Sequence, residues 1–555
     1  MIKNRRYLIL LLAFAGLASC KKDLLDKLPA DRLSDNIVWT DPNAAEQFIN
    51  GIYGQIISGF DRPESEWGSG TYLLDGASDD GDVTFEWSES QALHLGAYNP
   101  SNSPLAPQWS NFYAQVRRTN LALANLDRVE GNDDKKLRLK GEAYFLRAYT
   151  YHDLLRFYGS KQAGNEGGIP LLATPLTPSD DFQIPRSSYD ESVNFIIKDL
   201  DSAAAILPGV GGIEAGRASK GAALALKSRV LLYAERWAEA AAAAKEVMEL
   251  TPGYMLFPDY ETLFLTENNS EIIFAKKFTA PVRVHGMGFS WAGYTAGNFG
   301  FETVNLPAGS FGGWGGTTPT QNLVDAYEMK DGKSITQSPL YSDNDPYRDR
   351  DPRFYATVLY NGSVFGGKTV ETFEGGANSK SVSDDASNTG YYIRKYLNPS
   401  MEKMTQLYPN TSDQDWIYIR YAEVLLNYAE AQNEAVGPDA TVYDAINQVR
   451  SRPSVNQPPL QAGLSQADMR MQIRNERRVE LSFEEHRYFD IRRWGIAKDV
   501  LNGPMYGMKI TQNGNAFTYE RIVFEERVFL DKMVVLPIPQ SEIDKNPAAK
   551  QIAGW

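Results

Sequence analysis

Residues 217–252, RASKGAALALKSRVLLYAERWAEAAAAAKEVMELTP, constrain the fold more than any other stretch of this 555-residue chain. They read as two helices joined by a tight turn. In the first, Leu226, Val230 and Tyr233 share one face while Leu224 and Leu231 share another, so this helix must be sandwiched between neighbours. In the second, Trp237, Ala241, Ala244 and Met248 form the apolar stripe, with Glu239, Glu246 and Glu249 on the wet side. The alanines at 240–244 permit close helix–helix approach, and Pro252 stops the helix. Such a hairpin cannot bury its apolar surface alone, so more helical hairpins are expected on either side.

The hairpin resembles a tetratricopeptide repeat, whose unit is ~34 residues long. The expected fold is mainly α: a tetratricopeptide-like superhelix of helical hairpins with long irregular loops and a few short strands. Helices are predicted over 43–57 (Thr40 or Asp41 capping, Pro42 in the first turn), 110–129, 134–157 and 188–207. Further helices are predicted over 416–435, 441–450 and 469–494, and strands over 271–277, 354–360 and 390–396. Long loops concentrate in two bands, 60–107, rich in Gly, Ser, Asp and Pro, and 280–389, whose first part (280–319) is dense in Gly and aromatics. Long irregular segments of this kind are usually functional.

The first 19 residues read as a secretion signal, with Lys3, Arg5 and Arg6 before a short apolar run. That run is far below the ~20 residues of a membrane span. It ends in Leu17-Ala18-Ser19-Cys20, the pattern of a bacterial lipobox, and Cys20 is the only cysteine. Lipid attachment at Cys20 is therefore expected, followed by a charged tether. One cysteine excludes an internal disulfide framework, and four scattered histidines make a histidine metal cluster improbable. Without the signal the chain carries 53 basic against 70 acidic residues, a charge of −17. That balance argues against a nucleic-acid binder and suits a neutral ligand unless a local basic patch intervenes.

Seven stretches, in this order, resemble the SusD/RagB-like outer-membrane lipoproteins of the Bacteroidetes. They are the lipobox; LKGEAYFLRAYTYHDLLRFYG (139–159) with GIPL after it; GGWGGTTPTQNLVDAYEM (312–329); RDRDPRF (348–354); WIYIRYAEVLLNYAEA (416–431); IRNERRVELSFEEHRYFDIRRW (473–494); and VLPIPQSEIDKN (535–546). The resemblance implies a cell-surface protein that captures oligosaccharides for a SusC-like TonB-dependent transporter, with no catalysis and no cofactor. It also implies four regions: a signal peptide (1–19), a tether (20–35), an N-terminal region with helical repeats (36–275) and a loop-rich C-terminal region (276–555).

A sugar site needs exposed rings for the C–H faces and polar partners for the rims. The two loop bands supply Trp67, Tyr72 and Trp87 in the first and Trp291, Tyr294 and Asn298 in the second. These six are the candidate ligand-binding residues, with rings that merely plug loops onto helices as the competing reading. Trp314, set among Gly312, Gly313, Gly315 and Gly316, reads as scaffold. Asp79-Asp80-Gly81-Asp82 reads as a solvated turn, since it lacks the other ligands of a calcium loop. The alternating charges of 473–494 predict i,i+3 pairs, Arg477–Glu480, Glu484–Arg487 and Arg487–Asp490, in a clamp that ties the last helices to earlier hairpins. Three rival functions stand beside oligosaccharide capture: peptide capture on the same architecture, a repeat scaffold without a small ligand, and an enzyme, for which no product formation on oligosaccharides is expected.

Overall fold

The computed structural model describes residues 38–555 apart from 65–67, 71, 87, 162–166, 292–293 and 401–411. Among the described residues, six scaffold helices come first: α1 (Pro42–Tyr53), α2 (Pro107–Asn125), α3 (Asp133–Tyr158), α4 (Tyr189–Ile206), α5 (Lys220–Tyr233) and α6 (Trp237–Met248). Four more follow a long interval: α7 (Tyr421–Val436), α8 (Ala440–Arg450), α9 (Gln466–Glu480) and α10 (Arg487–Arg493). Side chains dictate several starts. Asp41 accepts from the Asn43 N–H at 2.8 Å, and Ser188 with Glu191 forms a reciprocal capping box at α4, satisfying donors that a helix cannot satisfy internally.

The helices stack in sequence, α2 on α3, α3 on α4, α4 on α5 and α5 on α6. Helix α6 then packs against α7, so the superhelix resumes across the 170-odd intervening residues. The sandwiched character expected of α5 holds: Leu224, Leu226, Val230 and Leu231 are all buried. Helix α3 is buried on nearly every side, from Leu139 to Tyr158. Gly141 is needed there, because a Cβ would lie 2.9 Å from Ile206 and 3.0 Å from Leu207. Buried ion pairs cross the layers: Arg147 grips Asp199 at 2.7 and 2.8 Å, and Arg229 grips Glu423 at 2.6 and 2.5 Å.

Several expectations are corrected. The stretch 416–435 is not one helix. Trp416–Arg420 is a strand antiparallel to Ile272–Lys276, and only then does α7 begin. Residues 354–357 belong to a short helix, Pro352–Thr357, and strand pairing is confined to Val358–Leu359 with Tyr392–Ile393. The stretch 469–494 breaks after Glu480, with Phe483 (φ 60°) and Glu485 (φ 61°) in the left-handed region.

That break is explained by charge. Glu480 accepts from Arg353, Arg420 and Arg452 at 2.7–3.0 Å, and Glu484 from Arg420 and Lys395 at 2.7 Å. Both carboxylates are therefore drawn into the core, so the expected i,i+3 pairs give way to ties across the chain. Burial pushes Glu480 up, but Arg452, Arg420 and Arg353 outweigh it and hold it well below the usual carboxylate range. The longest strands among the described residues, Gly503–Asn513 and Ala516–Arg527, form a hairpin absent from the sequence-based expectations.

Candidate ligand-binding face

The first loop band is locked to the end of the chain. Asp79 and Asp80 are buried, not solvated, which overturns the reading of Asp79–Asp82 as a solvated turn. Arg487 meets Asp79 through Nε–Oδ1 and Nη2–Oδ2, both 2.8 Å, and Arg478 bridges Asp79 (2.9 Å) and Asp80 (2.6 Å). Burial raises the Asp79 carboxyl, but Arg478 and Arg487 prevail and hold it far below its ordinary value. Asp75 accepts from the Phe483 and Glu485 N–H groups, and Glu485 in turn accepts from Leu74 N and Arg62. Burial, then the Glu485 and Asp80 charges, push Asp75 well up.

The two bands are also stitched to each other. Strand Gly81–Val83 pairs antiparallel with Thr317–Pro319. Thr84 donates to Gly315 O (2.6 Å) and Gly316 O (2.9 Å), and Thr320 to Asp79 O (2.6 Å) and Asp80 O (3.0 Å). Tyr72, Val83, Phe85, Phe299 and Val304 form a small core at this seam, with Trp314 packed on it. Trp314 is thus scaffold, its ring 4.7 Å from Phe299. Gly313 lets the chain run against Leu306, since a Cβ there would sit 2.3 Å from Leu306 O.

Tyr72 is 2% exposed. Its ring plugs the seam, which corrects its expected place among exposed platforms. Tyr98 and Phe301 are buried as well, Tyr98 against Trp555 at 5.0 Å. Trp67, Trp87 and the expected lipid-attachment residue Cys20 lie outside the described residues. Trp291 and Tyr294 end the strands Met287–Trp291 and Tyr294–Phe299 and are paired directly in register. Asn298 falls where the register shifts between the Met287–Phe299 and Phe289–Ala296 pairs. Strand Met287–Trp291 packs beside Gly68–Gly70 of the first band. The strands at 287–291 and 294–299 of the second band thus pair as a β-hairpin where an irregular loop was expected, and this hairpin adjoins the first band.

His285 anchors the base of that hairpin. Its ring stacks on Phe60 at 4.2 Å, and its Nε2 lies 2.9 Å from Gln414 Oε1. The Gln414 amide donates to Tyr396 O and Glu302, so its oxygen accepts from the imidazole. Burial pushes His285 down to about 4, against the pull of Gln414 and Asp61.

One acidic and histidine grouping escaped sequence reasoning because 431 positions separate two of its members. Asp82, His94 and Glu525 place ligand-type atoms within 4.8 Å of one another. A cation already serves them: Arg527 donates from Nε to Glu525 Oε2 at 2.6 Å and lies 3.8 Å from Asp82 Oδ1. Burial raises Glu525, but His94 and Arg527 bring it to about 2. Among the described residues no helix is long and apolar enough to cross a membrane.

Residues 270–555, just over half the chain, match the SusD family. The chain belongs to the SusD family. Residues 33–232 match a second family described as "Starch-binding associating with outer membrane". SusD-like protein P25 of Formosa agariphila is 27% identical over 459 residues, covering 79% of this chain and 77% of the relative. A SusD-like protein of Bacteroides fragilis superposes with a TM-score of 0.80 at 29% identity, covering 95% of this chain and 100% of that one. A second from the same organism, named a SusD-like carbohydrate binding protein, gives 0.78 at 27% identity, covering 92% and 99%. SusD family members are binding proteins, not enzymes.

Proposed function

We propose that this chain captures oligosaccharides at the cell surface, anchored in the outer membrane through Cys20, and delivers them to a SusC-like TonB-dependent transporter. One observation carries the reading: the carbohydrate binding relative from B. fragilis shares 27% identity with this chain across 92% of its length, at a TM-score of 0.78. The outer-membrane description of the family matched by residues 33–232 supports the location. Trp87, Trp291 and Tyr294 form the stacking platform, with Trp67 and Asn298 completing the site. The packing of strand Met287–Trp291 beside Gly68–Gly70 of the first band supports that grouping. The signal, tether and two main regions follow the division at residues 19, 35 and 275.

A polysaccharide panel against the soluble form lacking Cys20 tests the ligand class. Binding of at least one neutral or charged glycan is expected, and binding of peptides alone would replace this reading with the RagB-like one. Pull-down from mild detergent is expected to bring a large β-barrel protein with this chain. Recovery of the chain alone would count against a stable complex.

A further inference from the structure

The segment joining α4 to α5 leaves a cavity of about 300 Å³ between itself, α1 and the strand Ile272–Lys276. Aromatic rings form one wall. Tyr53 and Phe274 lie 6.4 Å apart by ring centroid, and Phe274 stacks on Tyr418 at 5.2 Å and 25°. The charge of the lining runs against that of the chain. Arg217, Lys276, Lys277 and Arg283 face it, and Glu214 is its one carboxylate among the described residues. The whole chain has 56 basic to 70 acidic residues, so four cations to one acid mark a local reversal.

Three of these cations have acids beside or behind them: Arg217 has Glu46, Glu142 and Glu214; Lys276 has Asp61; Lys277 has Glu267 and Asp415. Arg283 is exposed, and among the described residues no carboxylate pairs with it. Its guanidinium sits 5.5 Å from the Phe278 ring centroid and makes one long contact, 3.5 Å, to Gly54 O. Burial lowers Lys276 despite Asp61, and the Arg283 charge lowers it further, a crowding of cations that a bound anion relieves.

We infer that this cavity is a subsite for an anionic sugar unit, with a carboxylate or sulfate ester on Arg283 and the ring's C–H face against Tyr53. The volume, at the low end for small-ligand pockets, suits a single sugar residue. A planar guanidinium takes either anion through paired hydrogen bonds. Arg283 is four positions before strand Met287–Trp291, so the subsite lies at the root of the hairpin assigned to the main platform. The saccharide character rests on the proposed function, whereas the anion preference rests on the cavity alone.

The test is calorimetry on the full chain in mild detergent, with trigalacturonate, a sulfated galactan oligosaccharide and the neutral counterpart of each. At least one acidic ligand should bind about 10-fold more tightly than its neutral counterpart, with the advantage shrinking as salt rises. Which acidic ligand wins tells carboxylate from sulfate. Arg283→Gln should erase the advantage and leave neutral binding and melting temperature unchanged, and Arg283→Lys should restore part of it. Equal binding of acidic and neutral ligands, or an advantage that survives Arg283→Gln, overturns the subsite while leaving the glycan reading intact. Failure of every saccharide alongside Arg283-dependent binding of an acidic peptide overturns both.

Discussion

Replacing Asp79 by Ala removes the acid that secures the first loop band. Asp79 is 3% exposed and accepts two hydrogen bonds from Arg487 and one from Arg478. Arg478 keeps Asp80, but the Arg487 side chain, 8% exposed, is left with Asp80 alone at 3.8 Å. Breaking a buried pair by removing one partner costs about 3–5 kcal/mol, mostly the penalty of the stranded charge. Unfolding entropy near ~2.1 cal/mol/K per residue implies roughly 1.1 kcal/mol/K for a cooperative unit of this size, so Tm should fall by about 3–4 °C. Differential scanning calorimetry at neutral pH measures this, with Asp79→Asn expected to fall between Ala and wild type. A shift below about 1 °C for Asp79→Ala would refute the reasoning, since the stranded guanidinium would then be costing almost nothing.

Keeping His285 neutral contributes stability that is present above pH ~6.5 and lost as pH falls towards 4, because the unfolded chain binds the proton first. The loss amounts to roughly 3 kcal/mol, read as a steeper fall of Tm with acid than in His285→Asn; parallel pH profiles would contradict it. Ala241, 5% exposed on α6, faces packed helices, so Ala241→Glu should cost at least ~3 kcal/mol in chemical denaturation. An unchanged midpoint would mean that this face is free. Cys20→Ala should release the protein from the membrane fraction, and retention after a high-salt wash would point to another anchor.

Helical hairpins were legible because their apolar stripes recur locally. The two-sided burial of α5, the Asp41 and Ser188 caps and the stop of α6 before Pro252 all follow from residues within one or two turns. Long-range charge was not legible. Nothing near Asp79 reveals that Arg478 and Arg487, some 400 positions away, neutralise it, so its run of acids read as a wet turn. Glu480 and Glu484 read as i,i+3 partners of Arg477 and Arg487 because their actual partners, Arg353, Arg420, Arg452 and Lys395, lie elsewhere in the chain.

Trp416–Arg420 runs without a cap into α7, so its buried apolar run carries no period that separates strand from helix. The hairpin of Gly503–Asn513 and Ala516–Arg527 did carry a usable signal: the two-residue turn Gly514-Asn515 between alternating runs, with Gly514 at φ 62°. For the binding face, two aromatic-rich bands were visible in the sequence. That they adjoin, and that Tyr72 turns inward to seal the seam, depends on strand pairing between residues more than 200 positions apart.

In the function proposed here, Trp87, Trp291 and Tyr294 form a sugar platform on this seam. It is tested most directly by measuring glycan affinity and melting temperature together for Ala at each position. Stacking on a ring contributes about 1–2 kcal/mol, so each replacement should weaken binding ~10-fold and two together should nearly abolish it, with Tm close to wild type. Intact affinity alongside a large drop in Tm would contradict the claim, because the rings would then be holding loops in place while the ligand binds elsewhere.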